Sequence, residues 1–179
     1  IKKIILENQQ RIAALEIHPR SISVEKQANY IFTGQRRAGK TWFVFGLLQE
    51  MLKMGQSIET FLTINFEDER LIGFNHMDFD TILECYYELF PHRPVLFFDE
   101  IQNITGWQKF ARRMADEGYR TYITGSNSQM LSSEMASTLG GRYLVQEIGT
   151  LSFPEFLYFH GISVDEHFEF SPSRFEIIR

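Results

Sequence analysis

Gly34-Gln35-Arg36-Arg37-Ala38-Gly39-Lys40-Thr41 decides the reading of this chain. The octapeptide spells G-x-x-x-x-G-K-[ST] in full. It follows the extended run Tyr30-Ile31-Phe32-Thr33. It precedes a stretch in which Phe43, Val44, Leu47, Leu48, Met51 and Leu52 recur with helical period until Gly55. Strand, glycine loop and helix are the context in which the motif has physical meaning. The glycines let the backbone curl so that its N–H groups converge on phosphate oxygens, and the helix adds the positive end of its dipole. The whole stretch, Gly34, Gln35, Arg36, Arg37, Ala38, Gly39, Lys40 and Thr41, is therefore expected to cradle a nucleotide. Lys40 would reach the β- and γ-phosphates, and the Thr41 hydroxyl would ligate Mg²⁺. Arg36 and Arg37 are read either as phosphate or subunit contacts or as solvated loop cations.

Further along, Val95-Leu96-Phe97-Phe98 runs into Asp99-Glu100. Four apolar residues in a row suit a central parallel strand covered on both faces. Such a strand delivers its last residues to the end of the sheet where open α/β folds bind ligands. Asp99 is expected to hold Mg²⁺ and Glu100 to polarise an attacking water as general base. Taken alone, two acids ending a strand also read as a solvated cap. An acid directly after the Mg²⁺ aspartate favours ATP hydrolysis over phosphoryl transfer to a metabolite.

The remaining sequence alternates between strand and helix signals. Apolar positions Ile1, Ile4, Ile5, Ile12 and Leu15 suggest a helix up to Pro19, and Ile22 and Val24 a short strand. A second core strand is expected over Ile58–Ile64, then a helix through Ile82, Leu83, Tyr86, Leu89 and Phe90. Trp107, Phe110, Ala111 and Met114 mark another helix, and Thr121-Tyr122-Ile123 another strand. Met130, Leu131 and Met135 suggest a helix broken at Gly140-Gly141, with a fifth strand from Tyr143 and a short aromatic helix from Phe153 to Phe159. About five such alternations predict an α/β fold with a parallel sheet wrapped by helices. The expected organisation is an N-terminal helix and short strand over 1–27, a core over 28–160 and the start of a C-terminal region over 161–179.

Composition narrows the function classes. In 179 residues the net charge is −5, and 44% are hydrophobic, enough for a real core. Clustered basic residues occur only as short groups such as Arg36-Arg37 and Arg112-Arg113, so nucleic-acid binding is not indicated for this segment. The single cysteine, Cys85, allows no intramolecular disulfide, and the five histidines lack metal-ligand spacing. No apolar run approaches the length of a membrane span.

Several stretches together resemble one group. These are Phe32 to Thr41, Ile64-Asn65-Phe66-Glu67-Asp68-Glu69-Arg70-Leu71, Leu96 to Asn103 with Gly106-Trp107, Tyr122 to Ser128, Leu139-Gly140-Gly141-Arg142-Tyr143 and Leu151-Ser152-Phe153-Pro154-Glu155-Phe156-Leu157. In this order they resemble the AAA+-superfamily P-loop ATPases of bacteria and archaea that carry a further C-terminal domain. The resemblance implies a three-layer P-loop NTPase sandwich with five parallel strands in the order 5-1-4-3-2. It implies ATP and Mg²⁺ as ligands, a cytoplasmic location, and a homo-oligomer or protein partner. It also implies roles for Ser126 or Asn127 as sensor of the γ-phosphate, for Asn65 in restraining Glu100, and for Arg142 as a charge-stabilising arginine towards its own or a neighbour's nucleotide. The bland alternatives are a helix cap, a turn asparagine and a solvated arginine. The helical lid usual in the group is expected to be absent or incomplete here, with slow turnover as the consequence.

The leading expectation is an ATPase that drives or gates an attached domain or partner. The alternatives are a nucleotide-gated interaction switch with negligible turnover, a P-loop kinase, and DNA-directed action through a further domain.

Overall fold

The computed structural model describes residues 1–25, 27–126 and 137–162. The elements in chain order are α1 (Lys2–Ala14), β1 (Tyr30–Thr33), α2 (Lys40–Lys53), β2 (Phe61–Asn65), α3 (Phe79–Tyr87), β3 (Val95–Asp99), α4 (Trp107–Asp116), β4 (Thr121–Thr124), β5 (Leu144–Glu147) and α5 (Phe153–Phe159). The five strands form one sheet in the order β2-β3-β4-β1-β5, and every pairing is parallel. This is the expected 5-1-4-3-2 order read from the other edge, and it is the P-loop NTPase arrangement.

Side chains alternate across the sheet, so each of β1 to β4 feeds two cores, while the edge strand β5 is largely exposed. Ile31, Leu62, Ile64, Leu96, Phe98 and Ile123 pack under α3 and α4. Tyr30, Phe32, Phe61, Phe97 and Tyr122 pack under α2. On that second face the rings of Tyr30 and Phe32 stack at 5.4 Å, and those of Phe97 and Tyr122 at 5.0 Å. Burying residues of this size stabilises by about 1.5–3 kcal/mol each, so the strands are held chiefly by their two-sided burial.

α1 closes one edge of the sheet. Ile4, Ile5 and Ile12 are buried, the first two against the α3/α4 core and the third against the α2 core. The outer carbonyls of an edge strand normally face water or another chain. Here the Asn8 amide donates to Thr63 O at 2.8 Å and the Gln9 amide to Phe61 O at 2.9 Å. Gln49 of α2 in turn donates to Ile12 O and Leu15 O, ending α1.

Two expectations are corrected. Ile22 and Val24 form no strand, although both pack partly buried against the α2 core. Their alternation reflects burial without a partner, because both flanks of the adjacent β1 are taken by β4 and β5. Over Ile58–Ile64 the chain first makes a 3₁₀ turn, Ile58–Thr60, and only then the strand. Ser57 sets that turn by accepting from Glu59 N, while the Thr60 hydroxyl donates to Ser57 O at 2.7 Å. The helix expected around Met130 to Met135, and the C-terminal stretch from 163 on, lie outside the described residues.

Candidate nucleotide-binding site

The loop between β1 and α2 is shaped by two glycines. A Cβ on Gly34 would stand 2.2 Å from Ile148 O, so only glycine fits where the end of β5 crosses. Gly39 has φ 89° and precedes the first turn of α2, whose N-terminal N–H groups are thereby aimed at the loop. Between them Arg37 also has a positive φ, 66°.

Lys40, Thr41, Asp99 and Glu100 converge beside this loop. Lys40 is 4% exposed, and its ammonium donates to Gly34 O at 3.3 Å and Gln35 O at 3.1 Å. It also stands 3.9 Å from Glu100 Oε1. The Thr41 hydroxyl is 3.0 Å from each oxygen of the Asp99 carboxylate. The Thr124 hydroxyl donates to Asp99 Oδ1 and accepts from Glu100 N at 3.1 Å. Burial pushes the Asp99 carboxyl above its ordinary range, and the hydroxyls of Thr124 and Thr41 oppose that shift. A buried carboxylate beside a hydroxyl is a hard oxygen donor set. It fits Mg²⁺, whose other positions phosphate oxygens and water would fill. Among the described residues no cluster of three or more His, Cys, Asp or Glu side chains offers a rival metal site.

Glu100 adopts a left-handed conformation, φ 53° and ψ 42°, which is uncommon for a residue with a side chain. That turn directs its carboxylate to the Gln102 amide, which donates to Oε2 at 2.5 Å. Asn65, expected to restrain Glu100, does lie level with Asp99 in the sheet. Its side-chain Oδ1, however, accepts from Glu67 N at 2.8 Å in a local turn, and Gln102 holds Glu100 instead. Arg36 faces Glu67 at 4.0 Å in an exposed pair.

Two cavities meet at the loop. One of about 400 Å³ is lined by Lys40, Thr41, Asp99 and Glu100, and by Thr63, whose buried hydroxyl has no partner. The other, of about 590 Å³, is lined mainly by apolar groups, including Ile17, Ile22, Phe43, Leu47, Phe156 and Phe159. Arg37, Gly39 and Trp42 border both. Sequence reading missed the larger cavity because segment 16–22, α2 and the chain after β5 build it together. The available signal was α5 itself. It is rich in aromatics, yet only Leu157 is buried.

The other expected residues are placed differently. Ser126 is half-buried and follows Gly125, whose N–H donates to Phe32 O, so it stands beside the root of the phosphate loop. Asn127 lies outside the described residues. Arg142 lies at the opposite end of the sheet. Leu144, two residues on, pairs with Tyr30 at the start of β1, whereas Gly34 follows the far end of that strand. Its guanidinium pairs with Asp116 after passing the carbonyls of Leu139 and Gly140. The reading in which Arg142 reaches its own chain's nucleotide is therefore corrected by topology.

Fold and site together define a P-loop NTPase. Residues 26–157 match the sequence pattern of the family described as AAA domain, and the chain belongs to that family. It is 37% identical over 169 residues to the uncharacterized protein MJ1544 of Methanocaldococcus jannaschii, a match covering 93% of this chain and 37% of that protein. It is 33% identical over 138 residues to an uncharacterized protein of Haemophilus influenzae, covering 75% and 34%. The chain thus spans little more than a third of these relatives. Among solved structures it is similar to Hsp104 in a closed-state reconstruction with ATPγS and FITC-casein, with TM-score 0.53 and 16% identity. That match covers 88% of this chain and 28% of the other, and it speaks to the fold alone. A nucleotide-binding domain of AAA type is what these likenesses give. No helix among the described residues is long and apolar enough to cross a membrane.

Proposed function

We propose that this domain binds Mg·ATP and hydrolyses it, and that the cycle drives or gates an attached domain or partner. The observation that carries the reading is the convergence of Lys40, Thr41, Asp99 and Glu100 on one 400 Å³ cavity beside the loop. The larger apolar cavity suits the base and ribose. The loop and the α2 N-terminus suit the phosphates.

The roles follow from the groups. Lys40 exchanges loop carbonyls for phosphate oxygens and draws on a charge that is already buried there. Thr41 and Asp99 would hold the cation, which when bound would supply positive charge to offset that of the phosphates. Glu100, which already lines the cavity, takes a proton from the attacking water once its carboxylate is released from Gln102. Ser126, near the root of the loop, is the proposed sensor of the terminal phosphate. Asn127 shares that proposed role from its position in the sequence, and Arg142 is left as a candidate towards a neighbouring molecule. The cytoplasm is the proposed location.

The test is release of inorganic phosphate from ATP by the full-length protein, with Mg²⁺ and with excess chelator. Cation-dependent release supports hydrolysis. Tight binding with no release would leave the nucleotide-gated switch as the better reading.

A further inference from the structure

Arg20 lies in no regular element, yet it joins four parts of the molecule. Its Nη1 donates to Ala38 O of the phosphate loop at 3.2 Å and to Gly149 O at 2.9 Å. Nη2 donates to Thr150 O at 3.2 Å and to Glu155 Oε2 at 3.1 Å, and Nε to Glu155 Oε1 at 3.2 Å. The two side chains are 8% and 10% exposed. Glu155 is satisfied from its other side by Ser152 N at 2.8 Å, the Ser152 hydroxyl at 3.0 Å and Ser21 N at 3.2 Å. An ion pair this buried is costly to desolvate and persists where its hydrogen bonds are complete, as they are here. Apolar residues could supply stability as well, so the geometry of the fork is what the pair adds.

α5 needs that geometry. It spans seven residues, too few to be stable alone, and Leu157 is its one buried side chain. Phe153, Phe156 and Tyr158 are 60%, 41% and 55% exposed. His18 packs against the rings of Tyr158 and Phe159, and the polar anchorage of α5 is Glu155, tied through one guanidinium to the carbonyl of Ala38. The same segments wall the 590 Å³ cavity.

We infer that Arg20 is a positioning residue that ties the phosphate loop to α5, so that a nucleotide filling the loop and the cavity orders α5 together with the loop. The inference rests on the nucleotide reading above. It supplies a route from the bound nucleotide to the chain that follows α5.

The experiment is amide hydrogen exchange of the full-length protein with and without Mg·ADP, on the parent and on Arg20→Lys and Glu155→Gln. Lysine keeps the charge but not the fork, and glutamine keeps the shape but not the charge, so either variant can stand if the other fails to fold. In the parent, ADP should slow exchange in both 34–41 and 153–159. In the variants, saturating ADP should still protect the loop but no longer α5, with affinity lower by about tenfold or more. Protection of α5 in both variants equal to the parent's would overturn the inference. So would a parent in which the loop responds and α5 does not. If neither segment of the parent responds to ADP, the nucleotide reading itself fails and takes the inference with it.

Discussion

Glu100 and Gln102 face each other across a 2.5 Å hydrogen bond, amide to carboxylate, made possible by the left-handed backbone at Glu100. The remaining carboxylate oxygen stands 3.9 Å from the Lys40 ammonium. The proposed base is thus held beside the phosphate loop by a neighbour two residues on.

The acidic pair should divide its labour. Glu100→Gln keeps the size of the side chain and removes its basicity, so Mg·ATP should stay bound while cleavage slows by about 10²-fold or more. Asp99→Asn removes charge from the cation donors, so it should weaken binding in Mg²⁺ while changing little in chelator. Single-turnover cleavage and binding titrations measure the two effects. Equal hydrolysis by both variants and the parent would move the chemistry elsewhere.

Gln9 covers the sheet edge. Gln9→Leu preserves volume but leaves Phe61 O buried without a donor, a loss of about 1–3 kcal/mol. For a domain of this size the melting temperature should fall by roughly 2–4 °C per kcal/mol. Thermal unfolding followed by circular dichroism is the measurement. An unchanged midpoint would mean that water serves that carbonyl equally well.

The Glu155 carboxyl is held down at about 2 by Arg20 first and by Ser152 and Ser21 backbone and hydroxyl donors after it. Its folded value is depressed below the ordinary 4.5, so its contribution is complete above about 4.5 and is lost as pH falls towards 2. A depression of that size corresponds to roughly 3 kcal/mol. Glu155→Gln should therefore be less stable than the parent near neutrality, and the gap should close across that acid window. A gap of constant size from neutral to acid pH would show that the charge contributes nothing.

Much of this was legible in the sequence, and the exceptions have physical causes. The motif of Gly34 to Thr41 and the buried run of Val95 to Phe98 speak through local constraints, a backbone that needs glycine and a strand covered on both faces. The strand order followed from the resemblance. What stayed hidden depends on distant residues meeting. Arg20 looks like any loop arginine until Ala38, Gly149 and Glu155 are brought to it. Asn8 and Gln9 look like the polar face of a helix until β2 lies beside them. Gln102 is adjacent in sequence, but only the left-handed turn at Glu100 makes the two side chains meet.

Arg142 carries a separate prediction. Its exposed pair with Asp116 lies at the far end of the sheet, where such pairs contribute about 0–1 kcal/mol. Arg142→Ala should leave the ATP affinity of dilute protein unchanged. Turnover per molecule, followed against concentration in the full-length protein, decides whether Arg142 acts on a neighbour. A rise in the parent that the variant lacks would support action in trans, and identical curves would exclude it.

The most direct measurement is calorimetric titration of Mg·ATP into the parent and into Lys40→Ala, with the fold of both checked by circular dichroism. Lys40 is buried against the loop carbonyls and lies within reach of the position where the phosphates would sit. The parent should bind one nucleotide per chain, and the variant should show no measurable heat. Equal affinity in a folded Lys40→Ala variant would contradict the assignment of the Gly34–Thr41 loop as the nucleotide site.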